Sequence, residues 1–435
     1  MFFSIDTKSQ EYENVELLYH WSEDSLVGSE SFDNVYNEIW GITNNGREYA
    51  IIGSTAGTHF FDLTESNSIS EVAFVAGKVQ GSEIIHRDYH DFKNLLYAVS
   101  DEGQSSLQII DFSTLPDSVS LVYDSSELFQ RSHNIFIDTA TAKLYTTNGD
   151  IYSLENPLDP TLIYNTSLLS CHDMYVQNDT AYINGGYDGF FIVDFSQTTP
   201  ENQYHQVLGS LPTYPDQGYN HSGWLTADGN YYVMADETWG MRMKMLDLSD
   251  FSNIEVISLF GSEVDSNSIP HNQIIRGDYL YTAYYHDGLY VHDISEPSQP
   301  ILLAYYDTFL PNHHDSYMGA WGVYPFLPSG KILLSDMQTG LYVFTVTYDN
   351  PLNMEANFSN DISLFPNPAN DFLTIANTHF IYNSMQLIDI NGKSVFKSDL
   401  IHQNHKLDIS KYSPGIYSLR LRGKHKSKSF KLIIE

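Results

Sequence analysis

One unit repeats along most of the chain, and that repetition restricts the fold more than any other property. Its clearest copy runs His271-Asn272-Gln273-Ile274-Ile275, then Gly277-Asp278-Tyr279-Leu280-Tyr281-Thr282-Ala283, then Asp287-Gly288-Leu289-Tyr290-Val291-His292-Asp293-Ile294-Ser295. It reads as a leading His, a Tyr-led strand, an Asp-Gly turn and an apolar strand ending in Asp. The same order recurs at 40–64, 86–113, 172–196, 221–249 and 321–346, with a degraded copy from His133. The leading residues are Trp40, His86, His133, His172, His221, His271 and Trp321, six steps over 281 residues, about 47 each. Short alternating segments between turn residues, with no sustained helical period, predict strands. Repeats of this size and strand content point to a β-propeller, because one blade cannot bury both faces whereas a closed ring of blades can. The predicted fold is all-β. A seven-bladed β-propeller spans residues 14–347, with residues 14–21 as an outer strand that completes the last blade, and a small β-sandwich follows.

Charge marks where the propeller stops. Residues 353–435 hold ten Lys or Arg against seven Asp or Glu, whereas residues 1–352 hold 11 against 48. So sharp a shift predicts a boundary, with a linker at 348–361 and a second domain at 362–435. The formal charge of −34 repels phosphate backbones and attracts cations, which excludes a nucleic-acid partner. The single Cys171 excludes an internal disulfide framework. No apolar run reaches the ~18 residues of a membrane span. The opening Met1-Phe2-Phe3-Ser4-Ile5 is too short for the core of a signal peptide.

The third strands, His59-Phe60-Phe61-Asp62-Leu63, Leu107-Gln108-Ile109-Ile110-Asp111, Phe191-Ile192-Val193-Asp194 and Leu289-Tyr290-Val291-His292-Asp293, resemble those of LVIVD-repeat proteins. Together with Trp40-Gly41-Ile42, His221-Ser222-Gly223-Trp224 and Gly319-Ala320-Trp321-Gly322-Val323, they resemble the choice-of-anchor B family. The resemblance implies a secreted or surface-anchored propeller and supplies no catalytic residue. In the tail, Pro366-Asn367-Pro368, the turn Asn391-Gly392-Lys393 and the strand Gly415-Ile416-Tyr417 are similar to the type A sorting domain of the type IX secretion system. That likeness implies the secretion machinery as a partner, a secreted or outer-membrane location, removal of the tail, and a leader that this chain does not display.

Chemistry is expected at one end of the propeller channel. The first strand of each blade lines the channel, so the leading residues share a rim. The second strand runs back to the same rim and ends at Asp101-Glu102, Asp236-Glu237 or Asp336. This places His86, His133, His172, His221 and His271 around one opening, with Asp101, Asp236 and Glu237 beside them and Trp40 and Trp321 completing the circle. Imidazoles converging with carboxylates suit Zn, Fe, Cu, Ni or Mn. The plainer alternative is that each His is a structural hydrogen-bonding residue repeated for packing reasons, and that the turn aspartates only form turns. Cys171 next to His172 is disfavoured as a nucleophile pair, since strand neighbours face opposite sides. His313-His314-Asp315 lies in a loop before the last blade, and Trp224 and Trp239 are more simply core than sugar platforms. No phosphate loop, zinc-protease helix, nucleophile elbow or dinucleotide fingerprint is present. Two readings follow: a secreted, monomeric propeller with a transition metal at its rim, binding or turning over a small molecule, or a non-catalytic surface module that binds glycan or protein through rim loops.

Overall fold

The computed structural model describes residues 10–165 and 170–346, and beyond them 362–365, 369–377, 382–389, 393–398, 404–423 and 427–434. The chain divides into two compact units, Met1–Tyr348 and Asp349–Glu435, and every regular element described is a strand. The first unit is a succession of seven antiparallel sheets at 36–76, 88–125, 135–165, 173–211, 220–260, 273–306 and 320–346. Their first strands are Tyr36–Asn44, Asp88–Phe92, Ile135–Asp138, Asp173–Gln177, Asn220–Leu225, Gln273–Arg276 and Ala320–Tyr324. Each lies beside the next, and Ala320–Tyr324 returns to Tyr36–Asn44, so the succession closes on itself. The core lies between neighbouring sheets. Ile42, Tyr49, Ile51 and Phe60 of the first meet Tyr89, Leu96 and Ile110 of the second, and Leu333, Leu341 and Val343 of the last meet Ile39, Ile52 and Phe61 of the first. A blade is a two-faced hydrophobic slab, which is why its second and third strands read as near-continuous apolar runs.

The last blade borrows its outer strand from the start of the chain. Val15–Trp21 pairs antiparallel with Gly340–Val346, from Val15 opposite Val346 to Trp21 opposite Leu341. The six other outer strands each carry one register irregularity against the third strand, and Val15–Trp21 has its own between Leu17 and Tyr19. It is therefore the same element, supplied from elsewhere in the sequence. The sequence did not disclose a further strand, Tyr12–Glu13, which adds a fifth strand to the sixth blade beside Ile301–Tyr306.

Two repeated residues have local explanations. The Asp that closes the third strand accepts a backbone N–H two residues on: Asp62 from Thr64, Asp111 from Ser113, Asp194 from Ser196, Asp247 from Ser249 and Asp293 from Ser295, at 2.7–3.0 Å. This Asx-type turn satisfies a backbone donor as the chain leaves the sheet. Gly189, Gly288 and Gly340, where the third strands begin, have φ of 87°, 88° and 100°, and a Cβ there would strike the carbonyl of Leu211, Tyr306 or Trp21 in the outer strand.

The second unit is a sandwich. Ile362–Phe365, Phe372–Asn377 and Asn404–Asp408 form one sheet; Ser394–Ser398, Tyr382–Asp389, Gly415–Gly423 and Ser427–Ile434 form the other. Leu373, Ile375 and Leu407 of the first sheet pack against Met385, Leu387, Leu419, Leu421 and Leu432 of the second. Gly415 opens its strand, and Tyr417 donates its hydroxyl to the Ser413 carbonyl at 2.9 Å. Pro366, Asn367, Pro368 and Gly392 lie outside the described residues.

Candidate metal centre at the channel rim

Five histidines and one tryptophan form a closed ring. Ring centroids lie 4.4 Å apart from His86 to His133, 4.3 Å to His172, 4.4 Å to His221, 4.4 Å to His271 and 4.3 Å to Trp321, and 5.0 Å closes the circle to His86. Strand alternation alone would not give this. His86, His133, His172 and His271 precede the first regular residue of their strands. His221 sits in the register irregularity between Asn220 and Ser222, and Trp321 in the one between Ala320 and Val323. Freed from the pleat, each side chain turns into the channel.

Outer partners fix the imidazoles. His86 Nδ1 lies 2.7 Å from Glu102 Oε1, and the His86 backbone N–H donates to Glu102 Oε2 at 3.1 Å. His133 Nδ1 lies 3.0 Å from Asp101 Oδ2, His172 Nδ1 3.1 Å from the Tyr219 hydroxyl, and His271 Nδ1 2.5 Å from the Trp321 carbonyl. With Nδ1 engaged, these rings direct Nε2 toward their neighbours, the orientation that second-layer partners impose on metal-binding histidines. His172 Nε2 and His221 Nδ1 are buried without a hydrogen-bond partner. His221 Nε2 lies 3.9 Å from Glu237 Oε2, while Glu237 Oε1 accepts from the Tyr285 hydroxyl at 2.5 Å. Three overlapping groups have ligand atoms within 4.8 Å of one another: His133, His172 and His221; His86, Asp101 and His133; His221, Glu237 and His271.

Burial disfavours the charged form of four of these histidines. It lowers His86, takes His172 down to about 2 and His271 to about 3, and pushes His221 well below the usual imidazole range, with neighbouring histidines adding repulsion. Neutral imidazole is the ligating form. Burial raises Glu237 to about 7 against the Tyr285 hydrogen bond, whereas the hydrogen bond to His133 holds Asp101 below its ordinary value.

Two of the sequence-predicted rim residues stand elsewhere. Asp236 is fully buried in an ion pair with Lys244 at 3.1 Å and also accepts from the Tyr214 hydroxyl at 3.0 Å and the Gly218 N–H at 2.5 Å. Its strand-end position turns it into the blade, and the next residue, Glu237, reaches the ring. Trp40 stands three to four residues further along its strand than the rim position. It stacks with His90 and Tyr324 at the other end of the channel, and no residue of the first blade enters the ring. Asp336 accepts from Thr308, Gln338 and Thr339 as a turn former. Cys171 is a half-buried thiol pushed well above its usual range by desolvation, with Sγ 3.7 Å from the Asp173 carbonyl. His314 lies 2.7 Å from Asp287 in the rim turn of the sixth blade. Sequence reasoning noted Glu102 as a turn residue without assigning it to a histidine, and it passed over Tyr219 and Tyr285 altogether.

The far end of the channel carries a second ring. Trp40, His90, Phe136, Tyr175 and Trp224 follow one another with centroids 4.7, 5.0, 5.2 and 4.8 Å apart, and Tyr324 closes on Trp40 at 5.0 Å. Phe326 bridges Trp224 and Tyr324. The signal for this ring is a two-residue period that pairs Trp40, His90, Phe136, Tyr175 and Trp224 each with a polar residue two positions earlier.

The fold and this rim define a class: a β-propeller with a histidine-ringed channel. Residues 273–308 match the LVIVD repeat, and residues 363–435 match the Secretion system C-terminal sorting domain. The chain thus carries an LVIVD repeat within its propeller and a type IX secretion sorting domain over residues 363–435, and it is secreted or displayed on the outer-membrane surface. No curated protein matches the chain in sequence. Among solved structures it is similar to U3-55K, with TM-score 0.52 and 11% identity over 76% of this chain and 98% of that one. The RRP9 WD40 repeats give TM-score 0.50 and 10% identity over 77% and 97%. At such identities the likeness concerns the fold alone. Among the described residues no helix is long and apolar enough to cross a membrane.

Proposed function

We propose that the protein is an exported, monomeric propeller that holds one transition-metal ion in the histidine ring and presents it to a small ligand at the channel mouth. The observation that carries this reading is the pair of buried imidazole nitrogens without a hydrogen-bond partner, His172 Nε2 and His221 Nδ1, inside a belt whose other rings are oriented from outside. Imidazole with carboxylate suits Zn, Fe, Cu, Ni or Mn rather than Ca or Mg. Ligand atoms around a tetrahedral zinc stand about 3.4 Å apart, so small side-chain rotations would bring His133, His172 and His221 onto one ion. Asp101, Glu102 and Glu237 would orient imidazoles or complete the shell.

Elemental analysis of the purified protein after exposure to each metal tests the proposal. About one equivalent of metal is expected, with His172→Ala and His221→Ala each losing most of it while far-UV circular dichroism is unchanged. Unchanged metal content in both variants, or none in the wild type, overturns it. A second reading, a module that binds glycan or protein through its rim, is favoured by the exposed aromatics there. Tyr187 is 78% exposed against Tyr219, and Trp239 is 38% exposed against Tyr317.

A further inference from the structure

The channel end opposite the histidines carries an arrangement that a metal at the rim does not use. Alternate residues of a strand face the same side. Behind the aromatic ring, two positions before Trp40, His90, Phe136, Tyr175 and Trp224, stand Glu38, Asp88, Asn134, Asp173 and Ser222, and Asn272 holds the same place before Ile274. Both levels line one cavity of about 70 Å³, and it opens through the aromatic ring into a mouth of about 360 Å³. No Lys or Arg is among the residues lining either space. The carboxyls accept from neutral donors: Glu38 from the Ile39 N–H at 3.0 Å and Asn272 Nδ2 at 2.8 Å, Asp88 from the Ile135 N–H at 2.7 Å and from the Tyr89 N–H, and Asp173 from the Met174 N–H at 2.8 Å and from the Asn134 side chain. Two amides on the wall are left short. Gln273, 3% exposed, has no hydrogen bond at Nε2, and neither does Asn272 at Oδ1.

We infer that this end of the channel binds an organic cation, a small molecule whose ammonium group passes the aromatic ring and meets the carboxylates behind it. Aromatic faces attract cations most strongly where water is excluded, and Trp is the best of them. A buried ammonium also needs compensating charge. Burial pushes the carboxyls of the empty channel toward the neutral form, Glu38 to about 8, Asp173 to about 6 and Asp88 well above its ordinary value, and an ammonium seated among them draws them to the charged form with no basic side chain to compete. Asn272 Oδ1 is an acceptor for one of its N–H groups, and Gln273 Nε2 is a donor for an oxygen elsewhere on the same ligand. A bare metal ion fits less well, because the groups of ligand atoms found within 4.8 Å of one another all belong to the histidine ring. An ammonium with three N–H donors and an apolar body spans a wider, aromatic-walled site. The inference is independent of metal at the other rim.

The test is calorimetric titration of the full chain, with EDTA present, using benzylammonium and butylammonium against benzyl alcohol and butanol. Each ammonium is expected to bind at least about tenfold more tightly than its alcohol. Trp224→Leu and Glu38→Gln are each expected to weaken the ammonium about fivefold or more with an unchanged circular dichroism spectrum. Should either variant fail to fold, the comparison of ammonium with alcohol on the wild type still decides. Equal affinity for amine and alcohol, or no saturable binding of either ammonium up to about 20 mM, overturns the inference.

Discussion

His292 shows how a single buried side chain sets the behaviour of a blade. It lies 2% exposed in the third strand of the sixth blade, beside Phe260 and Tyr290, and burial takes its pKa down to about 4, with the Gly261 backbone partly opposing. Above pH ~6.5 folded and unfolded forms are both neutral at this site. As the pH falls from there toward 4, only the unfolded chain takes up the proton, so stability is lost across that window, up to about 3 kcal/mol for this one group. His292→Gln is therefore expected to be less stable than the wild type at pH 7.5, with the gap in melting temperature narrowing at pH 5. A gap that stays constant would show that the imidazole does not titrate as its burial implies. At this scale the sequence was partly legible. Five leading histidines in register were readable as a ring because the repeat fixes their place. Trp40 was not, because the alignment could not see the irregular strand starts that decide which residue turns inward. Asp236 and Glu237 were indistinguishable as neighbours until Lys244 claimed the first of them.

At the scale of elements, the borrowed outer strand has the largest mechanical role. Val15–Trp21 covers Gly340–Val346, and its Leu18, Tyr19 and Trp21 pack against the core shared by the last and first blades. Removing residues 1–21 deletes that packing, roughly 4 kcal/mol by apolar burial, and leaves an exposed strand edge rich in apolar residues. The truncated protein is expected to melt at lower temperature and to run as oligomers in size-exclusion chromatography at concentrations where the full chain is monomeric. A monomer with unchanged melting would show that the last blade holds without Val15–Trp21 as its outer strand. The pairing was readable from the repeat count, since one blade lacked a fourth strand and one apolar stretch lacked a blade. Tyr12–Glu13 was not readable: two residues carry no period.

At the scale of the whole molecule, the acidic propeller and the basic sandwich are separate compact units with separate cores. Protein recovered outside the cell is expected to lack the sorting domain by intact mass, with a C-terminus between the end of the propeller and residue 363. Recovery of the intact chain as the dominant extracellular species would contradict removal of the tail. Both units were visible in the charge shift and the repeats, whereas the two channel ends were not equally so. The histidine rim repeats one residue type and declares itself. The opposite end repeats only a pattern of aromatic and polar residues two apart, which single-sequence reading assigns to ordinary strand alternation.

The clasp in the last blade also fixes the order of events in folding. His20 Nε2 meets the Thr339 carbonyl at 2.8 Å across 319 residues of sequence, one of the longest-range pairings the chain makes. Blades one to six can each collapse as their own residues emerge from the ribosome, but the seventh sheet has no outer strand until the beginning of the chain finds its end. Pairings of such separation are kinetically late. The ring is therefore expected to lock in one terminal step, and a chain still being synthesised stays an open arc until Val15–Trp21 reaches Gly340–Val346.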